Sequence, residues 1–233
     1  RAFKLLFSFK PTQIGKFVTH GYHISQLMST KYFNIRKEKN SITLKMYDII
    51  ILNGRIIDGT GNPWYKADIG IKDGKIEEVG DLKNSDTDKR INAEKRIVSP
   101  GFIDMHSHSD LMLIANPKAE QKIMQGVTTE LLGQDGIGVA PINEKYKDMW
   151  RTNISGLAGN PKIDWSWNNI EEYLNTIQTT KTSVNVATLV PHGNIRIIAM
   201  DGVKNRSPTE DEMEHMKKLL KSAYNQGAYG IST

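Results

Sequence analysis

The sequence predicts an α/β protein: about four of the eight strands of a (β/α)8 barrel of the TIM type, preceded by a small antiparallel β-sheet. Three observations carry this reading. From Phe102 onward, short apolar and β-branched runs alternate with segments of helical periodicity, the pattern of a parallel sheet with crossover helices. The first such run, Phe102-Ile103, follows a Ser99-Pro100-Gly101 turn and opens into His106-Ser107-His108, where a barrel strand would deliver ligands. Upstream, residues between Tyr47 and Val79 form short apolar or alternating runs broken by Asn53-Gly54 and Asp73-Gly74, which are hairpin signals.

The elements follow in order. Ile49 to Leu52 reads as a strand, Asn53-Gly54 as a tight turn, and Arg55 to Asp58 as a second strand. Ala67, Ile69 and Ile71 alternate with polar residues or glycine, Asp73-Gly74 turns the chain, and Ile76 to Val79 returns. Asp81 to Arg90 is polar and reads as a loop. After the histidine pair, Asn116-Pro117 should cap a helix ended by Gly126. Val127 to Leu132 is the second barrel strand, running into Gly133-Gln134-Asp135-Gly136.

Residues 140–182 are more than a barrel requires, and Ile170, Tyr173, Leu174 and Ile177 keep helical spacing. We read this stretch as a helical insertion beside the site mouth, with Trp150, Trp165 and Trp167 packed in its core rather than lining a pocket. Val184 to Val190 is the third strand, ending at Pro191-His192-Gly193-Asn194-Ile195-Arg196. Ser207-Pro208-Thr209-Glu210 reads as a capping box, Met213, Met216, Leu220 and Ala223 as one apolar face, and Gly227 as the stop. Ala228 to Thr233 begins a fourth strand.

Bulk properties bound the function. The chain has 233 residues, with 38% apolar and 24% charged content, ordinary for a soluble globular protein. It has no cysteine, so disulfides are excluded and a reducing compartment, the cytoplasm, is the simpler expectation. No apolar run of about eighteen residues is present, so no membrane-spanning helix is expected. The net charge of +5 is local: residues 1–45 hold nine Lys or Arg and one acid, which leaves 22 basic against 25 acidic residues in 46–233. A nucleic-acid role would rest on that first segment, which carries no recognisable binding motif. Met46 reads as the true start, and 1–45 as a disordered leader or upstream translated segment. The sheet is assigned to 46–96 and the partial barrel to 97–233.

Six residues are weighed for the site. An isolated His-X-His is more often two surface histidines, but at a strand end His106 and His108 can share one metal ion, since imidazole suits zinc and its neighbours. Asp110 continues their face, either orienting a ligand or simply hydrated. Asp135 ends the adjacent strand, where an Asp-Gly pair is otherwise a turn and nothing more. His192 follows the third strand. Arg196 could meet a substrate carboxylate, although pairing with a local acid is the plainer expectation.

The stretch Gly101-Phe-Ile-Asp-Met-His-Ser-His-Ser-Asp110 resembles the first barrel strand of the metal-dependent amidohydrolase superfamily. Later segments are similar to its N-acyl-D-amino-acid deacylases (D-aminoacylases): Gln134-Asp135-Gly136 where many carry Asn-Cys-Gly with a metal-bridging cysteine, the His192-Gly-X-X-Arg196 segment, and Gly227 to Thr233 at the fourth strand. The resemblance implies that the small sheet is half of a β-sandwich. It also implies hydrolysis of an N-acyl-D-amino acid to a carboxylate and a D-amino acid, with one or two divalent ions, zinc first.

His106, His108 and Asp135 are then the metal ligands and His192 a substrate-binding residue. Further ligands and the general-base aspartate are expected beyond Thr233, so these 233 residues are expected to be an inactive N-terminal fragment. A hydantoinase- or dihydroorotase-like cyclic-amide hydrolase and a non-catalytic scaffold of the same fold are the alternatives. The former often bridge their metals with a fourth-strand lysine, and none follows Gly227. A small-molecule substrate is expected, with no nucleic-acid or membrane partner.

Overall fold

The computed structural model describes residues 46–233, so the expectation for 1–45 lies outside the described residues. The described chain falls into two compact units divided between Gly101 and Phe102.

The first unit is one sheet with the path β3-β2-β1-β4, built from β1 (Tyr47–Ile56), β2 (Tyr65–Lys72), β3 (Lys75–Gly80) and β4 (Thr87–Asn92), with β5 (Ile97–Val98) also on β1. β1, β2 and β3 pair antiparallel as expected, while β4 and β5 join β1 in parallel. Two readings change here. Asn53-Gly54 does not turn the chain back: β1 runs straight through, with a register shift between Ile51 and Gly54. Asn53 takes the left-handed conformation at φ 61° and donates its backbone N–H to Asp68 Oδ1 at 2.8 Å. A bulge and a two-residue turn share this composition, because both call for Asn or Gly at positive φ, the bulge at one residue and the turn at two. The end of the polar stretch 81–90 belongs to β4, whose Ile91 faces Ile51 of β1. Its charged residues conceal that strand. Asp73-Gly74 is the tight turn predicted, both at positive φ. Ile51, Ile56, Ile69, Ile71, Ala93 and Val98 form one core cluster of this unit, and Tyr47, Ile50 and Leu82 a second.

The second unit holds a four-stranded, all-parallel sheet in the order β6-β7-β8-β9: β6 (Phe102–Asp104), β7 (Val127–Leu132), β8 (Asn185–Pro191) and β9 (Gly230–Ser232). Each strand pairs with its predecessor in the chain, and helices lie in the crossovers, as in half of a (β/α)8 barrel. The first crossover differs from expectation. In place of one helix capped by Asn116, it contains α1 (Met112–Ala115) and α2 (Glu120–Ile123). Asn116 closes α1, and Ala119 at φ 45° separates the two turns. Pro117 has no N–H to give an incoming helix and disfavours helical backbone at Asn116.

The stretch after β7 contributes α3 (Glu144–Ala158) and α4 (Ile170–Thr180). Trp150, Trp165 and Trp167 are buried in the main core, with Trp150 Nε1 donating to the Gly138 carbonyl and Trp167 Nε1 to that of Val139. Ile170, Tyr173 and Ile177 face that core with one helical stripe.

α5 (His192–Ala199) follows β8 directly, and α6 (Glu210–Asn225) precedes β9. The capping box of α6 lies two residues later than predicted: Thr209 accepts from Glu212 N and the Glu212 side chain accepts from Thr209 N. Ser207-Pro208 is the approach to the helix. On the predicted apolar face Met216 and Ala223 are buried, whereas Met213 is 40% exposed. Gly227 ends the helix at φ 106°, its N–H bonding to Tyr224 O and that of Ala228 to Ala223 O.

Candidate metal centre

The site lies beyond the C-terminal ends of β6 and β7. β6 stops at Asp104, so His106 and His108 sit in the loop after it, and strand alternation does not place them. Loop anchors do. Asp104 Oδ1 accepts from His106 N at 3.2 Å, Ser107 N donates to Leu131 O at 3.3 Å, and Gln134 Nε2 donates to Met105 O at 2.8 Å. The loop nonetheless brings both histidines to Asp135. His106 Nε2 and His108 Nε2 each lie 3.1 Å from Asp135 Oδ2, with the rings 5.4 Å apart at 70°.

Asp135 reaches this position through its backbone. It adopts φ 55°, between Gly133 at 71° and Gly136 at 66°, which folds the segment after β7 into a tight turn aimed at the histidines. Aspartate is among the few residues that tolerate this conformation. A Cβ on Gly133 would lie 2.5 Å from Leu189 O, so the turn sits directly against β8. Ser232 of β9 holds it from the far side, accepting from Gly136 N at 3.0 Å and donating to Gly133 O at 2.5 Å.

The donor set fits a cation. All three ligand atoms lie within 4.8 Å of one another. Two imidazole nitrogens and a carboxylate oxygen are ligand types that zinc and related ions accept. The Asp135 and His106 side chains are 54% and 58% exposed and that of His108 is 18% exposed, so the trio opens toward solvent.

His192 is outside this trio. It is the first residue of α5, and its neighbour Gly193 donates its N–H to Gly136 O at 2.9 Å, so the backbone joins its segment to the Asp135 turn. Among the described residues Arg196 binds no local acid: its Nη2 donates to the carbonyls of Lys204, at 3.1 Å, and of Arg206. Asn194, fully buried, fastens the following loop, donating to Gly138 O and Pro141 O at 2.9 and 3.0 Å.

Asp110 is not hydrated in a loop. It is 2% exposed, and burial pushes its carboxyl up to about 7 despite backbone N–H donors from its own residue and Gly133. Its Oδ1 has no hydrogen-bond partner among the described residues. Sequence reasoning missed the polar cluster beneath the histidines. Glu130, fully buried on β7, accepts from Ser107 Oγ at 2.5 Å and lies 3.1 Å from Lys122 Nζ. Lys122 also donates to Asp104 at 2.6 Å. Only the oddity of Glu130 within the β-branched run of β7 signals it.

Comparisons with known proteins match most of this chain. The model of the family described as "Amidohydrolase family" matches residues 89–233, and that of "Urease alpha-subunit, N-terminal domain" matches residues 27–101. A curated N-acyl-D-glutamate deacylase of Alcaligenes xylosoxydans xylosoxydans is 36% identical over 186 residues, 80% of this chain. This chain spans 37% of that relative's length. The crystal structure of N-acyl-D-glutamate deacylase from Bordetella bronchiseptica, complexed with zinc and a phosphonate mimic of the tetrahedral intermediate, superposes with TM-score 0.71 at 32% identity. That match covers 81% of this chain and 38% of the other. A D-aminoacylase structure described by its binuclear metal centre matches with TM-score 0.68 at 34% identity, covering 80% of this chain and 38% of that one.

Proposed function

This chain belongs to the amidohydrolase family, and from that premise we propose that the protein it contributes to is a metal-dependent hydrolase of N-acyl-D-amino acids. One observation carries the reading: His106, His108 and Asp135 converge at the ends of adjacent parallel strands, where barrel enzymes place their chemistry. The names of the relatives supply the substrate class. The net reaction adds water across the C–N amide bond, yielding a carboxylate and a D-amino acid.

His106, His108 and Asp135 hold a divalent cation, zinc being the first choice. When bound, such an ion polarises a carbonyl and brings the pKa of water from about 15.7 to roughly 7. The chain's own residues orient and confine. Asp135 offers a carboxylate where many D-aminoacylases have cysteine, a harder ligand that narrows the preference for zinc over oxygen-loving cations. The positive-φ turn fixes its aim. His192, at the head of α5 and joined to the same turn through Gly193, is the residue we assign to substrate contact.

We further read 46–96 as half of a β-sandwich and 140–182 as an insertion beside the mouth. We place the protein in the cytoplasm; no helix among the described residues is long and apolar enough to cross a membrane.

The test is hydrolysis by the full-length protein. Release of D-amino acid from N-acetyl-D-glutamate and N-acetyl-D-leucine, abolished by a chelator and restored by zinc, is expected. Turnover of hydantoin or dihydroorotate instead would replace the reading with a cyclic-amide hydrolase. A folded protein that binds no metal and turns over neither would revive the scaffold.

A further inference from the structure

A part-buried charge cluster under the histidine loop serves no step of the reaction proposed above. Lys122 Nζ, from α2, lies 2.6 Å from Asp104 Oδ2, 3.1 Å from Glu130 Oε2 and 3.1 Å from Ser107 Oγ. Each contact reaches a different part of the histidine loop's support. Asp104 ends β6 and caps His106 N. Ser107 stands between the two histidines, and its Oγ donates to Glu130 while accepting from Ser109 N at 3.3 Å. Glu130 belongs to β7, which leads to Asp135, and is wholly buried.

We propose that Lys122 is a positioning residue for the metal centre: its ammonium clips the His106–Ser107–His108 loop of β6 onto Glu130 of β7 and so sets where the two imidazoles stand against Asp135. This rests on the metal reading of that trio. The physical argument is one of charge. Asp104 and Glu130 both touch the same ammonium, so their nearest oxygens lie within about 6 Å of each other, close enough for strong repulsion where water is scarce. Without the cation, the carboxylate that supports His106 and the one that holds Ser107 push apart, and the histidine loop opens between them. The Lys122 side chain is 18% exposed, so solvent offers little replacement. Its ammonium loses hydration on burial, and the bonds to Asp104 and Glu130 outweigh that loss and raise its pKa. The pair of acids therefore always meets a charged lysine near neutral pH.

The experiment titrates the full chain with Co2+, following the visible absorption of the bound ion. Lys122→Met is expected to weaken Co2+ binding by about 10–100-fold, the usual effect of losing a ligand's outer support, and to alter the band shape. Lys122→Arg, which keeps the charge, is expected to restore most of the affinity. Parental affinity and spectrum in a cooperatively melting Lys122→Met protein would overturn the clip and leave the metal reading intact. Failure of the parent protein itself to bind Co2+ would overturn the metal reading, and the clip with it. Should Lys122→Met not fold, Lys122→Gln, which removes the charge but keeps a hydrogen-bond donor, is read by the same two outcomes.

Discussion

The backbone N–H of Gly136 donates to Ser232 Oγ at 3.0 Å, so the residue after Asp135 is held by the last strand of the sheet, 96 positions along the chain. Ser232 is 8% exposed and also donates to Gly133 O. Ser232→Ala strands a buried donor and a buried acceptor at once. A loss of about 1–3 kcal/mol is expected, read by urea denaturation. The same variant should bind Co2+ more weakly, because the turn that aims Asp135 loses its far anchor.

Asp135→Asn keeps the left-handed backbone but removes the charge, and metal affinity should fall by at least about tenfold with little change in stability. Asp135→Cys places a soft thiolate at that position. The ratio of Cd2+ to Mn2+ affinity, measured by competition, is expected to rise. A ratio unchanged from the parent would mean that residue 135 is not a ligand.

The carboxyl of Asp110, buried between α1 and the Gly133 turn, titrates at about 7, against an ordinary 3.8 in the unfolded chain. Between those values the folded state keeps a proton that the unfolded state has released, so stability falls as pH rises from about 4 to 7. The slope from this one group is at most about 1.4 kcal/mol per pH unit. In chelator, Asp110→Asn should flatten that fall, as measured by denaturation at several pH values. A parallel slope in both proteins would refute the assignment.

Thr209→Ala serves as a comparison away from the site. It removes one half of a capping box and should cost about 1 kcal/mol, with Co2+ binding unchanged. A thermal melt and one titration check both halves of the statement.

Much of this architecture was legible from residue pattern. Alternation, turn residues and helical stripes located β2, β3, β7, β8 and the apolar side of α6, because each is set by local chemistry and one buried face. The failures share another cause. β4 was hidden by its charged residues, since a strand pairing with a hydrophobic neighbour need not be hydrophobic itself. Asn53-Gly54 looked like a turn because a bulge calls for the same residue types. Around the site, His106, His108 and Asp135 were visible as chemistry at strand ends. Lys122, Glu130 and Ser232 were not, because their meaning lies in contacts among segments that sequence spacing does not relate.

The strand order β6-β7-β8-β9 has a bearing on how the protein is made. During synthesis each strand of this sheet finds its neighbour already present, so the sheet can grow in the direction of translation. The three donors are all supplied by the first two loops, long before α6 leaves the ribosome. Their latch is supplied later: Ser232 arrives with β9 and only then fastens the Asp135 turn. A nascent chain therefore carries the donors for some time without this clasp, and the Asp135 turn is fastened only when the fourth strand docks.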